Sequence, residues 1–428
     1  MWIGIDDTDS SKGMCTTYLA IIIAATMNFD IIDLPRLVRL NPNIPWKTRG
    51  NAAIAIQVGR GRGKRRKIGE FDSRKIFSYE RGEDSFLDED ELLDRVKNIV
   101  ERYAIFEEEK TSPGIVVSRK KISEKLYWKA VRSVLTLDEV YKYIENVSYF
   151  GYKSRRGLIG AAAAISWKPK SRTYELITYL PENKWNDERY INKESVILMD
   201  KKVKTTFENF DYRNDHIAIK PETKTPVLYG IRGIDIQGLE KAKKMIISDP
   251  YKAYLIFETN QGTDDHLLRK KISDISPFDS VIIDCIVYEK PIAIKGGHII
   301  FKIKDDSGEI YAAAYEKTKE FREIVKKLDV GDKIRIFGSV KKYPATVNIE
   351  KIFIKSLISK KTKIIPVCPK CGKKMESVGK NKGYRCRTCG TFTNKINYAY
   401  VKRDIEPGFY QVPIIARRHL SKPVEFFR

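Results

Sequence analysis

Four cysteines near the C-terminus constrain the fold of their segment more tightly than any other feature of the sequence. They form two C-x2-C pairs separated by fourteen residues: Cys368, Cys371, Cys386 and Cys389. Each pair places two thiolates on one tight turn, a glycine follows each pair, and four thiolates close a tetrahedral zinc site. The spacing predicts a zinc ribbon over residues 364–400 with a structural Zn2+. The alternative, four free thiols or a redox pair, requires the duplicated spacing to arise by chance.

The segment before the ribbon has the strand order of an OB barrel. Runs rich in β-branched residues predict five strands, over 281–288, 298–304, 309–315, 333–340 and 346–354. Apolar residues at helical spacing predict a helix over 321–328, between the third and fourth strands. We therefore assign residues 278–358 to an OB fold, which together with a basic zinc ribbon is typical of nucleic-acid binding. The candidates for stacking on bases are Tyr288, Phe301, Tyr311 and Phe337, although such aromatics more often belong to the core.

Length and charge limit the class of protein. The 428 residues predict two to four domains, and 80 Lys and Arg against 56 Asp and Glu give a net charge of +24. This surplus favours a polyanionic partner. The longest apolar run, residues 19–27, is too short to span a bilayer, and the first residues are acidic rather than signal-like. We expect a cytoplasmic protein with no membrane partner.

Two segments concentrate the positive charge. Residues 59–67 (GRGRGKRRK) contain six bases in nine positions, and residues 366–403 contain ten bases and one acid. Both are candidates for contacts with a phosphate backbone. The glycines of the first segment predict a flexible tip, and a merely solvated loop is the other interpretation.

The remaining chain predicts two further domains. Strand-like runs over 2–5, 36–40, 51–58 and 114–118 alternate with helical patterns over 13–27 and 92–103, which indicates an α/β domain over residues 1–150. A second unit, residues 151–277, contains an apolar run over 158–167 that we interpret as a strand, and a helix over 239–247. Residues 401–428 form a C-terminal tail.

Three carboxylates near the N-terminus indicate chemistry. Asp6, Asp7 and Asp9 follow the first strand, and the run containing Thr16 begins the next helix. Clustered carboxylates repel one another, and a divalent cation such as Mg2+, itself bound to nucleotide phosphates, relieves that repulsion. Helix amides beside the cluster favour an anion. Helix capping and turn formation by the same residues is the alternative.

Two loops supply cations for a nucleotide. Lys47, Thr48 and Arg49 lie in one, and Lys110 and Thr111 lie in the other. Both loops are suited to binding triphosphate oxygens. No G-x-x-x-x-G-K-[ST] pattern occurs in the sequence, so an ATP site here is of an uncommon kind. The four histidines are scattered, which gives little support to a hydrolytic triad.

These motifs together resemble a known family. GIDDTDS at 4–10, GMCTTYL at 13–19, and the segments 45–51, 226–233 and 260–264 closely resemble the archaeal agmatidine synthetases, the isoleucine tRNA 2-agmatinylcytidine synthetases. The resemblance covers essentially the whole chain. It implies a multidomain α/β and α+β protein with a kinase-like domain, a ferredoxin-like domain, an OB fold and a zinc ribbon.

The resemblance also implies a reaction. The family uses ATP to replace the C2 oxygen of the wobble cytidine of the CAU-anticodon isoleucine tRNA with agmatine, and AMP and two phosphates are released. Family members phosphorylate a threonine, which the motif places at Thr16, with Thr17 as the neighbouring alternative. Asp6, Asp7 and Asp9 then hold Mg2+, while Lys47, Arg49 and Lys110 stabilise the transferring phosphoryl group.

Agmatine is a dication that needs carboxylates. The candidates in the second domain are Asp200, Glu208, Asp211 and Asp264, and spacing alone does not choose among them. No obligatory protein partner is indicated. The alternative function is a non-enzymatic binder of single-stranded nucleic acid, which combines an OB fold with a zinc module but does not need the aspartates.

Overall fold

The computed structural model describes residues 1–83, 88–342, 345–395 and 397–427. Its N-terminal part is an α/β layer that begins with a buried apolar strand. The elements of this part are β1 (Trp2–Asp6), α1 (Thr16–Thr26), β2 (Asp30–Arg39), β3 (Ala52–Phe71), β4 (Arg74–Glu83), α2 (Glu89–Tyr103), β5 (Gly114–Ser118), α3 (Glu124–Arg132), α4 (Leu137–Ile144), β6 (Ser148–Gly151) and α5 (Gly157–Ser166).

The second part is ferredoxin-like and continues the same sheet. Its elements are β7 (Thr173–Tyr179), α6 (Lys193–Lys202), β8 (Thr206–Phe207), β9 (Phe210–Asp211), β10 (His216–Ile217), β11 (Val227–Gly233), α7 (Ile236–Met245) and β12 (Ala253–Thr259). The joint sheet has the order β6-β5-β1-β3-β4-β2-β12-β7-β11-β8. Strand β12 pairs in parallel with the end of β2, so the two parts share one hydrophobic core.

The strand interpreted over 158–167 is wrong, because these residues form helix α5. Its small residues allow unusually close packing on β1: a Cβ on Gly4 would overlap the carbonyl oxygen of Ala161. A Cβ on Gly160 would overlap the carboxylate of Asp6. Nearly every face of α5 is buried, so the sequence lacks the polar stripe that normally reveals a helix.

The flexible tip predicted for residues 59–67 is also wrong. These residues lie within the long strand β3, paired with β4 from Arg60–Glu83 to Phe71–Arg74. The glycines allow close approach rather than flexibility, since a Cβ on Gly61 would overlap the ring of Tyr79. The result is a rigid hairpin with exposed bases.

The OB barrel is confirmed, with a small helix between its third and fourth main strands. Its elements are β13 (Leu268–Arg269), β14 (Ser280–Val287), β15 (Ile292–Ile294), β16 (His298–Lys304), β17 (Glu309–Ala314), α8 (Phe321–Lys326), β18 (Lys333–Val340) and β19 (Thr346–Ser356). Of the stacking candidates, Phe301 is buried in the barrel core and Phe337 is buried outside it against Phe409, whereas Tyr288 and Tyr311 are 41% and 45% exposed. Alternation along β18 places Ile334 and Ile336 in the barrel core and Phe337 on the opposite face of the strand.

The ribbon stands on a two-stranded stalk, and the chain then returns to the barrel. The elements are β20 (Lys360–Ile364), β21 (Glu376–Ser377), β22 (Tyr384–Arg385), β23 (Phe392–Thr393), β24 (Asn397–Val401) and β25 (Gly408–Gln411). Strands β20 and β24 pair to form the stalk, and β25 pairs with β19. Among the described residues, no helix is long and apolar enough to cross a membrane.

Candidate active site

The aspartate loop connects the C-terminal end of β1, an interior strand of the sheet, to α1. Asp7 adopts a left-handed backbone conformation (φ 57°), which aspartate tolerates better than most residues. Its carbonyl oxygen accepts a hydrogen bond from the amide of Ser112, and the hydroxyl of Thr111 donates to the carbonyl oxygen of Asp9 (2.9 Å). The loop before β5 therefore holds the aspartate loop in place.

Thr16 lies within reach of one of these carboxylates. Asp9 Oδ1 accepts hydrogen bonds from the Thr16 amide (2.6 Å) and the Thr16 hydroxyl (3.1 Å). The hydroxyl of Thr8 donates to the Thr16 hydroxyl oxygen (2.9 Å). The Thr17 hydroxyl instead contacts the thiol of Cys15 (3.1 Å). Asp9 is thus positioned to accept the proton of Thr16, as a base must be for a hydroxyl nucleophile.

The other two carboxylates occupy a buried position that favours a cation. Burial, followed by repulsion from Asp7, raises the pKa of Asp6 well above its ordinary value. Burial also raises the pKa of Asp7 to about 7, although Arg156, whose Nη2 lies 3.4 Å from Asp7 Oδ2, opposes the shift. A divalent cation relieves both costs, and hard carboxylate oxygens are the ligands that Mg2+ prefers. The oxygen donors are of the type that Mg2+ prefers, although among the described residues only the four cysteines bring three or more potential ligand atoms within 4.8 Å of one another.

The first cationic loop lies beside the aspartates. Arg49 donates to the carbonyl oxygens of Ser10 and Met14 and so clamps the aspartate loop. Lys47 donates to the carbonyl oxygen of Pro42, and burial lowers the Lys47 pKa to about 8. The buried hydroxyl of Thr48 has no hydrogen-bond partner among the described residues. An unsatisfied buried donor and two cations suit a phosphate.

The second predicted loop contributes differently. The Lys110 side chain is exposed, and the backbone carbonyl oxygen of Lys110 accepts a hydrogen bond from Arg156 (2.8 Å). Thr111 is fully buried, and its hydroxyl donates to the carbonyl oxygen of Asp9. This loop therefore positions Arg156 and the aspartate loop, while the charge of Lys110 lies at the rim.

Two cavities meet at Asp9 and Thr16. The aspartate cavity is lined by all three aspartates together with Lys47, Thr48, Arg49, Arg156 and Gly160. A second cavity of about 400 Å³ is lined by Asp9, Cys15, Thr16, Thr17, Arg39, Thr48, Arg49, Glu175, Glu222, Arg232 and His419. Thr16 borders both cavities, whereas Thr17 borders only the second. Of the two hydroxyls, only that of Thr16 therefore belongs to a residue that borders the aspartate cavity.

The zinc ligands converge as the spacing predicts. The four cysteine sulfurs lie within 4.8 Å of one another. Two Sγ–Sγ distances, Cys368–Cys389 and Cys371–Cys386, are 3.4 Å. Four sulfurs about 2.3 Å from a central ion lie about 3.8 Å apart in a tetrahedron. The arrangement therefore fits a structural Zn2+.

Comparison with known proteins decides the family. Family models match in sequence order: the TiaS TCKD domain at residues 2–156, the TiaS FLD domain at 155–266, an OB-fold nucleic acid binding domain at 286–354 and the TiaS C-terminal zinc ribbon domain at 365–405. The isoleucine-tRNA 2-agmatinylcytidine synthetase TiaS of Methanocaldococcus jannaschii is 42% identical, over 99% of this chain and 98% of that protein. The chain belongs to the TiaS family.

Solved TiaS structures have the same architecture. The crystal structure of TiaS in complex with its isoleucine tRNA and ATP matches with 36% identity and a TM-score of 0.85. The complex of TiaS with the same tRNA, AMPCPP and agmatine matches with 35% identity and a TM-score of 0.83. Each match covers 99% of this chain and 96% of the solved chain. The resemblance found in the sequence motifs is confirmed.

The four acidic residues expected to hold agmatine have other partners in this structure. Asp200 accepts hydrogen bonds from Asn209 and Tyr212 (2.9 and 2.8 Å). Glu208 pairs with Arg232 (2.6 Å) and Arg417 (3.2 Å). Glu208 is therefore adjacent to the second cavity through Arg232.

The other two carboxylates organise neighbouring loops. Asp211 binds Asn214 and the amide of Ile415. Asp264 pairs with Lys351 (2.7 Å), a lysine with no exposed side-chain surface. Both carboxylates thus connect the second domain to the barrel or the tail.

Sequence reasoning missed most residues of the second cavity. Glu175, Glu222, Arg232 and His419 come from distant segments that meet only in the fold. Arg232 lies in segment 226–233, one of the segments that resemble the family, so the sequence could have indicated this residue. His419 lies in the tail, where no motif indicated a role.

Proposed function

We propose that this protein is an ATP-dependent ligase that conjugates agmatine to C2 of the wobble cytidine of the CAU-anticodon isoleucine tRNA, with release of AMP and two phosphates. Family membership over the whole chain supports this activity. Localisation in the cytoplasm, together with the tRNA substrate, is part of the proposal. The alternative, a non-enzymatic nucleic-acid binder, does not explain why three aspartates and a buried threonine line connected cavities.

The junction at Thr16 is the observation that carries the proposal. The Thr16 hydroxyl borders the aspartate cavity, whose charged lining suits phosphate groups, and the second cavity, which at about 400 Å³ is large enough for a flipped base or an amine. A group at this point is accessible to ATP on one side and to the acceptor on the other. We assign Thr16 as the phosphorylated threonine and Asp9 as its base.

The chemistry explains why ATP is required. The C2 carbonyl of cytosine is urea-like and a poor electrophile, and its oxygen is a poor leaving group. Transfer of one phosphoryl group to that oxygen breaks one phosphoanhydride bond of ATP and forms a C–O–P linkage. The other phosphoanhydride bond breaks when a phosphoryl group passes to Thr16, and hydrolysis of that phosphothreonine releases the second phosphate. The amine then forms the C2–N bond, and the C2–O bond breaks with its electron pair leaving on phosphate.

The aspartate cavity supplies the groups for phosphoryl transfer. Asp6, Asp7 and Asp9 would hold Mg2+, which when bound neutralises phosphate charge. Lys47, Thr48 and Arg49 line the same cavity and would contact the phosphates. Lys110 and Thr111 belong to the second nucleotide loop. The Thr111 hydroxyl donates to the carbonyl oxygen of Asp9 and so positions that aspartate.

The domain roles follow from this assignment. We propose residues 1–150 as the ATP-binding catalytic domain, 151–277 as the ferredoxin-like domain and 278–358 as the RNA-binding barrel. Residues 364–400 form the ribbon and 401–428 the tail. Helix α5 packs with the first of these domains although it follows residue 150.

Agmatine is expected in the second cavity, beside Asp9, Glu175 and Glu222. Of the four acidic candidates, Glu208 remains the best supported because its partner Arg232 lines this cavity. Asp200 and Asp211 are retained only as supports of neighbouring loops. Asp264 pairs with the buried Lys351, so we expect it to stabilise the fold rather than to bind agmatine.

Asp264→Ala is expected to lower the free energy of unfolding by about 3–5 kcal/mol, because it leaves the buried ammonium of Lys351 unpaired. Asp306→Ala, which removes an exposed partner of Lys271, is the matched control. It should change the free energy of unfolding by less than about 1 kcal/mol. Denaturant unfolding of both variants measures this. Equal stability of both, with weaker agmatine binding in Asp264→Ala, would instead favour a ligand role.

The basic hairpin formed by β3 and β4 is proposed as a contact for the RNA backbone. Lys64 and Arg66 are exposed and make no ion pair with the described residues. Both residues lie near Asp30, the first residue of β2. The last residue of β2, Arg39, lines the second cavity. Ten residues of strand span about 30 Å, so this surface would contact tRNA outside the anticodon loop.

Replacing both Lys64 and Arg66 by glutamine is expected to weaken tRNA binding about tenfold at low salt and to reduce the slope of log affinity against log salt by about 1–2. Filter binding across a salt series measures both. The control variant removes two exposed charges from α7, at Lys241 and Lys244. The same loss in the control would show that only total charge matters.

The proposed activity is tested by incorporation of radiolabelled agmatine into isoleucine tRNA with a CAU anticodon, with and without ATP. Elongator methionine tRNA is the control RNA, and lysine is the competing amine. Incorporation that requires ATP and is confined to the isoleucine tRNA supports the proposal. Tight tRNA binding without incorporation would favour the binding protein.

A further inference from the structure

The C-terminal tail brings a histidine into the second cavity. After β25 the chain runs back between the barrel and the catalytic domain, where Leu420 joins the core of the first domain. The carbonyl oxygen of His419 accepts a hydrogen bond from the amide of Gly262 (2.9 Å), and the Asp264 amide donates to the carbonyl oxygen of Leu420 (2.8 Å). The imidazole of His419 is thereby fixed in the cavity wall with Asp9 and Thr16.

A chain of hydrogen bonds sets the tautomer of this histidine. The side chain of Gln261 is fully buried, and its Nε2 donates to Glu175. Its Oε1 therefore faces Nδ1 of His419 at 3.0 Å, so that Nδ1 carries the proton. Nε2 is left with a lone pair and has no hydrogen-bond partner among the described residues. It lies beside Gly50, another residue of the cavity wall.

The surrounding charges keep the ring neutral. Burial, followed by repulsion from Arg39, Arg232 and Lys47, lowers the pKa of His419 well below its ordinary value. The charged groups on the surrounding elements are Arg39 on β2, Glu175 on β7, Arg232 on β11, Asp9 before α1, Lys47 and Arg49 before β3, Lys220 and Glu222 after β10, and Arg417 and Arg418 in the tail. The same cations disfavour an ammonium group in this cavity and so promote loss of its proton.

We propose that Nε2 of His419 accepts the proton that the agmatine ammonium must lose before its nitrogen can attack C2. The inference rests on the proposed function and adds a catalytic residue to it. Amines of this type have a pKa of about 10.4, so at pH 7 only about one molecule in 2,500 is unprotonated and nucleophilic. A fixed acceptor in the cavity removes this limitation.

The step balances. The ammonium transfers one proton to Nε2 and becomes a free amine. The amine nitrogen forms the bond to C2, the C2–O bond breaks with its electrons leaving on the phosphate, and the second nitrogen proton departs with that phosphate. The imidazolium then returns its proton to solvent.

The test compares two amines in wild-type enzyme and in His419→Gln. Agmatine is one, and its aminooxy analogue, whose terminal nitrogen is unprotonated at neutral pH, is the other. We expect the variant to lose about 10²-fold in kcat with agmatine and less than about threefold with the analogue. With agmatine, the variant's rate should rise about tenfold per pH unit between about pH 7 and 9, more steeply than that of wild type. His298→Gln, in the barrel, is the control for loss of a histidine.

The outcomes separate the inference from the proposed function. Equal losses with both amines, or none with agmatine, would overturn the role of His419 while agmatine transfer by wild type still stands. No agmatine transfer by wild type would overturn the proposed function itself. Thermal unfolding of the variant shows whether a shared loss comes from a displaced tail.

Discussion

Replacing Thr16 by valine is expected to lower the rate of agmatine transfer by about 10³-fold. Valine keeps the volume and the backbone amide that binds Asp9, but it removes the hydroxyl held between Asp9 Oδ1 and Thr8. The same variant should no longer accept label from ATP that is labelled on both its β and γ phosphates. The initial rate of agmatine incorporation and the phosphate bound to protein are the two measurements.

Thr17→Val is the matched control, because Thr17 has the same size and adjoins Thr16 on the helix but borders only the second cavity. We expect it to retain both measured activities within a few-fold. If Thr17→Val lost transfer and Thr16→Val retained it, the assignment of the phosphorylated threonine would move by one residue. Asp9→Asn should resemble Thr16→Val, since the amide lacks the charge that accepts the proton.

The sequence predicted those parts of the fold and site that depend on neighbouring residues. The OB strands alternate regularly, the cysteines define their own knuckles, and the aspartate loop and Thr16 lie within eleven residues of chain. Each of these signals acts over a short range, so periodicity and spacing are sufficient. The continuous sheet of the first two domains gave no such signal, because its pairing of β12 with β2 joins residues far apart in sequence.

The wrong predictions have a common physical reason. Helix α5 is buried on almost all sides and the β3 hairpin is rigid because of strand pairing, and both facts depend on what packs against them. The position of His419 likewise results from a tail that crosses three domains. Local propensity contains no information about such long-range contacts.

Removal of zinc is expected to abolish tight tRNA binding while ATP binding persists. Among the described residues of the ribbon, the buried apolar core comprises Met375, Tyr384 and two of the cysteines. A core of this size does not stabilise a fold, whereas a structural zinc ion contributes about 10–16 kcal/mol. Without the ion the basic surface of the ribbon should lose its shape, and with it the geometry that phosphate binding requires.

The double variant Cys368→Ser/Cys371→Ser makes the same test without a chelator. Cys285→Ala is the control, since this thiol lies in the barrel core and is not part of the cysteine cluster. We expect a loss of at least about 10²-fold in tRNA affinity for the double variant and little change for the control, with unchanged nucleotide binding in both. None of the described ribbon residues lines the aspartate cavity, so the ATP site should survive. Unchanged tRNA affinity in the zinc-free protein would assign RNA binding to the barrel and the basic hairpin instead.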